Sequence, residues 1–330
     1  MIIQTLLSIL IGMIIVLVLT PKWIVKAKKL GLEGKDMNKF NPKEKVSEAG
    51  GICVVFGMVF GIIVYLLISF FAKVQLSAIP KILVFLITII LTSFIGLADD
   101  FHGWKKGLTK TARLIFLAIA ALPLLVLNIL YPNPYTLGLS FVYPIWFIIL
   151  GFVGASSTFN FLAGYNGLET SQGIIVITAL SIVNYLNKNI WLASIGIIIV
   201  ACLIAFYHFN KFPAKVFPGN ALTYTIGACI ATIAILGRIE LFAVFLFIPY
   251  IIETILKLRG NLNKESFGKA KSDGSLDKPY DKIYGLEHLA IVLLQKIKPS
   301  HKAYEKEVVL VINAFQIIMI LLGILIFKVV

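Results

Sequence analysis

Charged residues are scarce in this sequence. Asp, Glu, Lys and Arg together make up 14% of the 330 residues, while hydrophobic residues make up 59%. An average soluble domain contains about 25% charged residues. The composition therefore excludes an ordinary soluble globular protein and indicates a polytopic membrane protein.

Ten runs of about 20 apolar residues are long enough to cross a bilayer. They lie near residues 2–20, 50–71, 79–97, 112–130, 143–163, 173–187, 190–207, 221–237, 239–256 and 308–327. The runs are continuous and lack period-two alternation, which favours helices over strands. The predicted fold class is all-α, with about ten transmembrane helices.

Acidic residues are the rarer charge: 16 of them stand against 30 lysines and arginines, a formal net charge of +14. Of these 30, 25 fall in or beside the loops after the first, third, fifth, seventh and ninth predicted spans. The positive-inside rule therefore predicts that these loops face the cytoplasm and that both termini lie on the outer side. The same bias accounts for most of the net charge, so we expect membrane lipids and an anionic substrate as partners, and no nucleic acid.

The sequence has no internal repeat and no low-complexity linker, so we expect a single membrane-embedded domain over residues 1–330. Its only sizeable extramembrane piece is a basic cytoplasmic loop at about 257–307. Within that loop, residues 283–298 form an amphipathic pattern that predicts a helix in the membrane interface.

Cysteine and histidine are also few. Cys53, Cys202 and Cys229 fall inside predicted spans without a pairing pattern, which favours small buried residues over disulfides. The four histidines, His102, His208, His288 and His301, lack the spacing of a zinc site. A Walker loop and a Gly-x-Ser-x-Gly elbow are likewise missing, which argues against nucleotide hydrolysis and esterase chemistry.

Two adjacent carboxylates, Asp99 and Asp100, end the third apolar run in the stretch "GLADDFHGW". A carboxylate at a membrane boundary is costly and usually has a partner. Neighbouring residues on a helix point about 100° apart, so one carboxylate could lie near a divalent cation such as Mg²⁺ while the other contacts an acceptor or a lysine. The alternative is a solvated helix end without a chemical role.

Asn160 and Asn166 lie in a segment interrupted by Gly164 and Gly167, which predicts a loop. Asn160 offers a neutral oxygen ligand for a metal, and the amide of Asn166 could recognise a base edge or a sugar. Because Asn-Gly is also a common turn signal, a plain turn is the alternative.

The tetrad "FPGN", residues 217–220, immediately precedes the eighth predicted span. If it opens that helix, the first backbone amides predict an anion-binding site. Phe217 could then stack on a nucleobase. The alternatives are a simple turn and an aromatic residue at the membrane interface.

Three motifs occur in a fixed order on the predicted cytoplasmic side: "GLADD", "NFLAGYNGLE" and "FPGNALTYTIGA". Together they resemble the polyprenyl-phosphate N-acetylhexosamine-1-phosphate transferases. The second motif looks like the eukaryotic and archaeal branch, UDP-GlcNAc:dolichyl-phosphate GlcNAc-1-phosphotransferase, since the bacterial branches tend to have Asp where Asn166 stands. The similarity runs from residues 34–39 through the eighth span and is thin over 257–307.

The resemblance implies a reaction in which a sugar 1-phosphate passes from a UDP-N-acetylhexosamine to a polyprenyl or dolichyl phosphate and UMP is released. In the dolichyl branch this is the first step of lipid-linked oligosaccharide synthesis for N-glycosylation. Mg²⁺, with Mn²⁺ as an alternative, is the implied cofactor, and a homodimer is compatible with the family. The integral membrane protein would have its site on the cytoplasmic face, in the plasma membrane of a prokaryote or the endoplasmic reticulum of a eukaryote.

The resemblance also implies roles for particular residues. The catalytic group would comprise Asp99, Asp100, Lys110 and Arg113. The substrate-binding group would comprise Asp36, Asn38, Lys39, Glu48, Asn166, Phe217 and Lys264. The metal ligands would be Asn160 and Asn220.

The sequence departs from the family at Asn220, where an aspartate metal ligand is usual. An amide supplies one neutral oxygen instead of a carboxylate, so weaker metal binding is expected. In the loop that follows the ninth span, Lys264, Lys269 and Lys271 would replace the family's arginine and histidine cluster.

Other functions also fit parts of the pattern. One is a bacterial-type prenyl-phosphate transferase for cell-wall or surface polysaccharides. Another is a secondary transporter for an anionic solute, although transport sites lie near mid-span. A third is a lipid-binding structural protein, which would not need the four polar segments that follow the first, third, fifth and seventh predicted spans.

Overall fold

The computed structural model describes residues 2–40, 45–101, 107–131 and 143–328. Within these ranges the chain is largely helical. Its helices are α1 (Ile2–Leu30), α2 (Gly51–Phe71), α3 (Ile79–Phe101), α4 (Lys110–Ala120), α5 (Leu122–Leu130), α6 (Tyr143–Phe159), α7 (Leu168–Leu186), α8 (Ile190–Asn210), α9 (Gly219–Gly237), α10 (Glu240–Leu246), α11 (Ile248–Arg259), α12 (Leu286–Ile297) and α13 (Glu305–Phe327). His102 lies outside the described residues.

Seven of the described segments are long and apolar enough to cross a membrane. They are Ile2–Leu30, Gly51–Phe71, Leu76–Phe101, Lys110–Leu130, Ile190–Asn210, Gly219–Gly237 and Glu305–Phe327. Helices α10 and α11 make an eighth if the pair is one span, although it bends by 53°. Pro249 lies in the first turn of α11. A proline is tolerated there because the first turn needs no N–H donor, whereas in the interior of one continuous helix it would remove a hydrogen bond.

The remaining two predicted spans are helical but do not meet the same criterion. Helix α6, which contains the predicted span near 143–163, is 17 residues long. Helix α7, which contains the predicted span near 173–187, begins with the polar sequence "LETSQG". The membrane character of the protein is therefore established, while the count of ten spans and the position of the termini stay predictions.

The all-α prediction needs one correction, because two small antiparallel sheets accompany the helices. Strands β1 (Glu33–Lys35) and β2 (Lys45–Ser47) pair with each other, with Gly34 opposite Val46. Strands β3 (Lys269–Ala270), β4 (Ser275–Asp277) and β5 (Ala303–Tyr304) form the second sheet in that order. Each strand has only two or three residues, too few to show the alternation by which strands are recognised in a sequence.

The segment predicted as a loop at 257–307 is accordingly more structured than expected. It contains β3, β4, β5 and helix α12, and α13 begins at Glu305. The amphipathic pattern predicted at 283–298 is confirmed as a helix. Leu289, Leu293 and Ile297 are exposed on it at intervals of four residues, so they share one apolar face.

Helix α9 lies at the centre of the helical core. It packs against α3 and α6 and also contacts α2 and α7. Every residue from 221 to 234 is buried. This central position brings the beginning of α9 against the end of α3, where the predicted acidic pair stands.

Gly96 permits the close approach of α3 and α9. A Cβ atom built on Gly96 would lie 2.6 Å from the Cα of Ala221 and would also overlap the backbone carbonyl of Asn220. Real Cβ atoms do not come this close to backbone, so any larger side chain at this position must push the two helices apart.

Replacing Gly96 with alanine should lower the free energy of unfolding by about 1–3 kcal/mol, the usual cost of overpacking. Thermal unfolding in detergent micelles measures the change. Gly151→Ala in α6 is the matched control, because nothing lies within 4 Å of its added Cβ and alanine is the better helix former. An equal melting temperature for Gly96→Ala and the wild type would contradict the close packing of α3 on α9.

Candidate functional site

A cavity of about 630 Å³ opens at the end of α3 and the beginning of α9. Its wall draws on five parts of the chain that are distant in sequence. These are residues 31–37 with Lys45 and Glu48, Asp100 in α3, residues 160–169, Asn210 with residues 217–223, and Phe267. All three sequence motifs quoted above therefore contribute to one cavity.

Asp100 joins α3 to the first turn of α9. Its Oδ1 accepts the backbone N–H of Asn220 at 2.7 Å, and its Oδ2 accepts the backbone N–H of Ala221 at 3.1 Å. The first amides of a helix have no partner within the helix and carry a partial positive charge. A carboxylate is therefore a favourable cap for them.

This cap corrects one expectation about "FPGN". The first amides of α9 were predicted to bind the anion of a ligand, but two of them already donate to Asp100 of the chain itself. Gly219 makes the arrangement possible, since its φ of +71° disfavours other residues and an added Cβ would overlap the Asp100 carboxylate.

Asp99 has a different set of partners. Its Oδ2 accepts the hydroxyl of Tyr224 at 2.9 Å and the side-chain amide of Asn220 at 3.0 Å. The guanidinium of Arg113 lies 2.9 Å from the same oxygen, and Oδ1 accepts the backbone N–H of Leu108 at 2.7 Å. Asp99 is 3% exposed. Its oxygens are occupied by protein donors, so it orders the side chains around it.

The oxygen donors around Asp100 suit a hard divalent cation. Asn160 and Asn220 line the same cavity as Asp100, and so does the carboxylate of Glu48. Among the described residues no group of three or more His, Cys, Asp or Glu could hold a metal. The oxygens that this wall offers are those of carboxylates and side-chain amides together. Mg²⁺ accepts such a set because it keeps several waters and shares substrate phosphates.

A hydrogen bond restrains one of these groups, and burial affects another. The amide oxygen of Asn160 accepts the hydroxyl of Thr223 at 2.9 Å. Burial raises the pKa of the Glu48 carboxyl above its usual range. A cation near Glu48 would oppose that rise, because it favours the ionised form.

The predicted substrate-binding residues Asp36 and Asn166 meet on another wall of the cavity. The side-chain amide of Asn166 donates to Asp36 Oδ2 at 2.9 Å. Asn38 connects this wall to the rest of the chain: its amide donates to the carbonyl of Gly164 at 2.7 Å, and its Oδ1 accepts the N–H of Gly268 at 3.1 Å. The loop predicted between Asn160 and Gly167 is confirmed.

Phe217 also lines the cavity. Its backbone is fixed to the segment before α2: its N–H donates to the carbonyl of Ser47 at 2.8 Å, and its carbonyl accepts the N–H of Gly50 at 2.9 Å. These bonds fix the backbone of Phe217 at the wall of the cavity.

Six predicted residues are not among the described residues that line the cavity: Asn38, Asp99 and Arg113, described above, and three lysines. Lys110 is exposed at the beginning of α4. Lys264 lies over the rings of Tyr280 and Tyr284, with its Nζ 4.8 and 5.8 Å from their centroids. Lys39 pairs with Glu305 at 2.7 Å. None of the three is among the residues that line the cavity within the described chain.

Sequence reasoning missed several residues that shape the site. Tyr224 lies one helical turn after Asn220 in a quoted motif, so its spacing could have placed it on the same helix face. Glu169 ends another quoted motif, and its Oε1 accepts the N–H of Gly164 at 2.8 Å. Phe267 comes from the segment before β3, and no local pattern connects it to the others.

Residues 82–238 match the model of glycosyl transferase family 4. The chain is 32% identical to a Sulfolobus acidocaldarius protein named as a UDP-N-acetylglucosamine–dolichyl-phosphate N-acetylglucosaminephosphotransferase, covering 97% of this chain and 95% of that one. A Saccharolobus solfataricus protein with the same name is 34% identical over 79% of this chain and 81% of its own. A phospho-N-acetylmuramoyl-pentapeptide-transferase of Clostridium beijerinckii is 28% identical over 74% and 77%.

Replacing Asn220 with aspartate should make the stability of the protein depend on Mg²⁺. The change removes the amide that donates to Asp99 and places two carboxylates about 3 Å apart, where like charges repel strongly. We expect Asn220→Asp to melt at a lower temperature than the wild type in chelator and to gain more from added Mg²⁺. Thermal unfolding with and without Mg²⁺ measures both effects.

Asn220→Ala is the matched control, because it removes the same donor without adding a charge. It should lose stability in chelator and respond to Mg²⁺ no more than the wild type does. If the aspartate variant melts like the wild type under both conditions, position 220 faces neither Asp99 nor a cation.

Proposed function

This chain belongs to glycosyl transferase family 4, and on that premise we propose that it transfers N-acetylglucosamine 1-phosphate from UDP-N-acetylglucosamine to a dolichyl or related polyprenyl phosphate, with release of UMP. The names of the two archaeal relatives support this donor and acceptor. The product would be the first lipid-linked intermediate of an oligosaccharide for N-glycosylation.

The observation that carries the proposal is the position of the cavity relative to the apolar helices. It lies where α3 ends and α9 begins, and both helices are apolar enough to cross a membrane. A nucleotide sugar arrives from water and a prenyl phosphate from the bilayer, so a reaction between them requires a site at the end of spanning helices. A transporter would instead bind its solute near mid-span.

The donor would bind with its uracil between Phe217 and the wall formed by Asp36 and Asn166. The ring of Phe217 offers a face for stacking, typically worth about 1–3 kcal/mol per base. The Asn166 amide is oriented by its hydrogen bond to Asp36, so it can present a fixed polar edge to the base.

The charge of the cavity supports a requirement for a cation. Acidic residues outnumber basic ones in its wall: Glu33, Asp36, Glu48, Asp100 and Glu169 against Lys35 and Lys45. A diphosphate donor and a phosphate acceptor bring further negative charge. Mg²⁺, with Mn²⁺ as an alternative, would be held by Asp100, Asn160 and Asn220, and when bound it offsets charge on the transferring phosphoryl group.

The chain's own residues then position the reactants. A phosphate oxygen of the acceptor forms a bond to the phosphorus that carries the sugar, and the bond from that phosphorus to the UMP oxygen breaks. Both oxygens of Asp100 accept backbone amides, which favours a fixed, charge-balancing role over attack by this carboxylate. Asp99 orients Arg113 through its ion pair, so Arg113 can neutralise phosphate charge at the edge of the site.

The finer description of the membrane arrangement belongs to the same proposal. We propose ten spans from the ten apolar runs. We propose that both termini lie on the outer side and the cavity on the cytoplasmic face, because 25 of the 30 basic residues fall in or beside the corresponding loops. The nucleotide donor is a cytoplasmic compound, which agrees with this orientation. The polypeptide would act as one domain, and a homodimer is compatible with it.

The purified protein should release UMP from UDP-N-acetylglucosamine only when both Mg²⁺ and dolichyl phosphate are present. Asp99→Asn and Asp100→Asn should each lower the rate by roughly 100-fold or more, because each removes charge that matters most in the transition state. A coupled assay for UMP measures the rates. Asp281→Asn, an exposed carboxylate away from the cavity, is the control and should keep the wild-type rate.

Near-wild-type rates for both variants at saturating Mg²⁺ would leave Asp100 only its role as a helix cap and Asp99 only its role in ordering neighbouring side chains. Release of UMP from UDP-N-acetylmuramoyl-pentapeptide but not from UDP-N-acetylglucosamine would instead assign the chain to the bacterial type of reaction.

A further inference from the structure

We propose that Glu305, the first residue of α13, is a positioning residue for the donor: it holds the loop that presents Asn166 to the cavity. The inference rests on the proposed function and deepens it. Glu305 lies 139 residues after Asn166 in the sequence, beyond the residues that match the family model. Its role follows from its contacts.

The Glu305 carboxylate binds two segments at once. Its Oε1 accepts the backbone N–H of Asn166 at 2.8 Å, and its Oε2 accepts the ammonium of Lys39 at 2.7 Å. Lys39 also lies 3.8 Å from Asp36 Oδ2, and that oxygen accepts the side-chain amide of Asn166. The four residues therefore form a closed ring of polar contacts, in which Asn166 is held by both its backbone and its side chain.

The burial of Glu305 makes its contacts within this ring important for stability. Glu305 is 3% exposed, and a buried carboxylate is retained only when its oxygens have partners. Both oxygens have one here. The contacts with Lys39 and Asn166 and the dipole at the beginning of α13, which favours negative charge, offset part of the cost of burying this carboxylate.

The ring connects parts of the chain that lack other regular structure. Asn166 lies in the loop between α6 and α7, and Asp36 and Lys39 lie in the segment after β1. Lys39 is held further by the ring of Phe212, whose centroid lies 3.6 Å from its Nζ. Helix α13 is long and apolar, so Glu305 joins these two irregular segments to the start of a regular helix.

Two residues on, Glu307 provides a contrast. It belongs to the same helical turn but pairs with Lys298 at 2.6 Å, and its side chain is 34% exposed. Its second oxygen accepts the N–H of Tyr304 at 3.0 Å as part of a capping box. Glutamine at this position preserves the capping box. Glu307→Gln therefore removes the same charge from the same turn without touching the ring.

The test compares Glu305→Gln with Glu307→Gln in the full-length protein. UMP binding is measured by isothermal titration in the presence of Mg²⁺, and KM and kcat are measured separately for UDP-N-acetylglucosamine and dolichyl phosphate. We expect Glu305→Gln to weaken UMP binding and to raise the donor KM about tenfold, the effect of losing one hydrogen bond to a charged group. The acceptor KM should stay unchanged, and Glu307→Gln should match the wild type throughout.

A double variant examines whether the ring acts as a unit. Lys39→Met should weaken UMP binding by itself, since it opens the same ring from the other side. If the contacts are coupled, Lys39→Met combined with Glu305→Gln weakens binding by less than the product of the two single effects. Effects that multiply independently would show that Lys39 and Glu305 act separately.

The outcomes separate this inference from the proposed function. Unchanged UMP binding in Glu305→Gln would overturn the inference while the transferase activity stands. A lower kcat with both KM values intact would also overturn it, because it would show only a smaller folded fraction. A wild type that neither binds UMP nor releases it would remove the proposed function, and the inference with it.

Discussion

The structure of the site depends on one contact between helices: the carboxylate of Asp100 at the end of α3 caps the first amides of α9. The two hydrogen bonds, 2.7 and 3.1 Å long, join residues about 120 positions apart. They satisfy helix amides that would otherwise lack partners within the chain at the wall of the cavity. Because Gly96 and Gly219 leave no room for a Cβ at this junction, the helices meet in a fixed position.

Asp99, the neighbour of Asp100, explains why an amide at position 220 is compatible with an ordered site. Asp99 accepts donors from Arg113, Tyr224 and Asn220. An amide at position 220 therefore stabilises Asp99 directly, whereas an aspartate would need a cation between the two carboxylates. The departure from the usual family pattern thus has a structural consequence. The side-chain nitrogen of Asn220 donates to Asp99, and its side-chain oxygen contributes to the cavity. It also leaves the cavity with one negative charge fewer to attract a metal.

Much of the fold follows from hydropathy alone, since long apolar runs have few alternatives in a bilayer. The runs predicted at 50–71 and 190–207 correspond closely to α2 and α8. The short strands and the bend between α10 and α11 were not predictable in this way, because two or three residues show no period and hydropathy does not show where a helix bends. The sequence motifs likewise pointed to residues that do meet in one cavity, such as Asp100 and Asn166.

What the sequence could not reveal is how distant segments complete that cavity. Predicting the cap on α9 would have required knowing that the Asp100 carboxylate reaches the first amides of that helix. From the sequence alone, these amides suggested a ligand site instead. Glu305 and Phe267 belong to segments without a recognisable motif, and their contribution depends on the path of the chain after α11. Local sequence patterns identify the residues that can take part in the chemistry, whereas the residues that orient them are found only through tertiary contacts.

The central claim is that the oxygen donors at the junction of α3 and α9 hold a divalent cation next to the nucleotide sugar. Manganese scatters X-rays anomalously and accepts the same oxygen ligands as magnesium, so a crystal of the protein with Mn²⁺ and UDP-N-acetylglucosamine can locate it directly. The account predicts one anomalous peak in the cavity, coordinated by Asp100, with Asn160 and Asn220 beside it. A bound nucleotide with no peak at Asp100, or a peak outside the cavity, would contradict it.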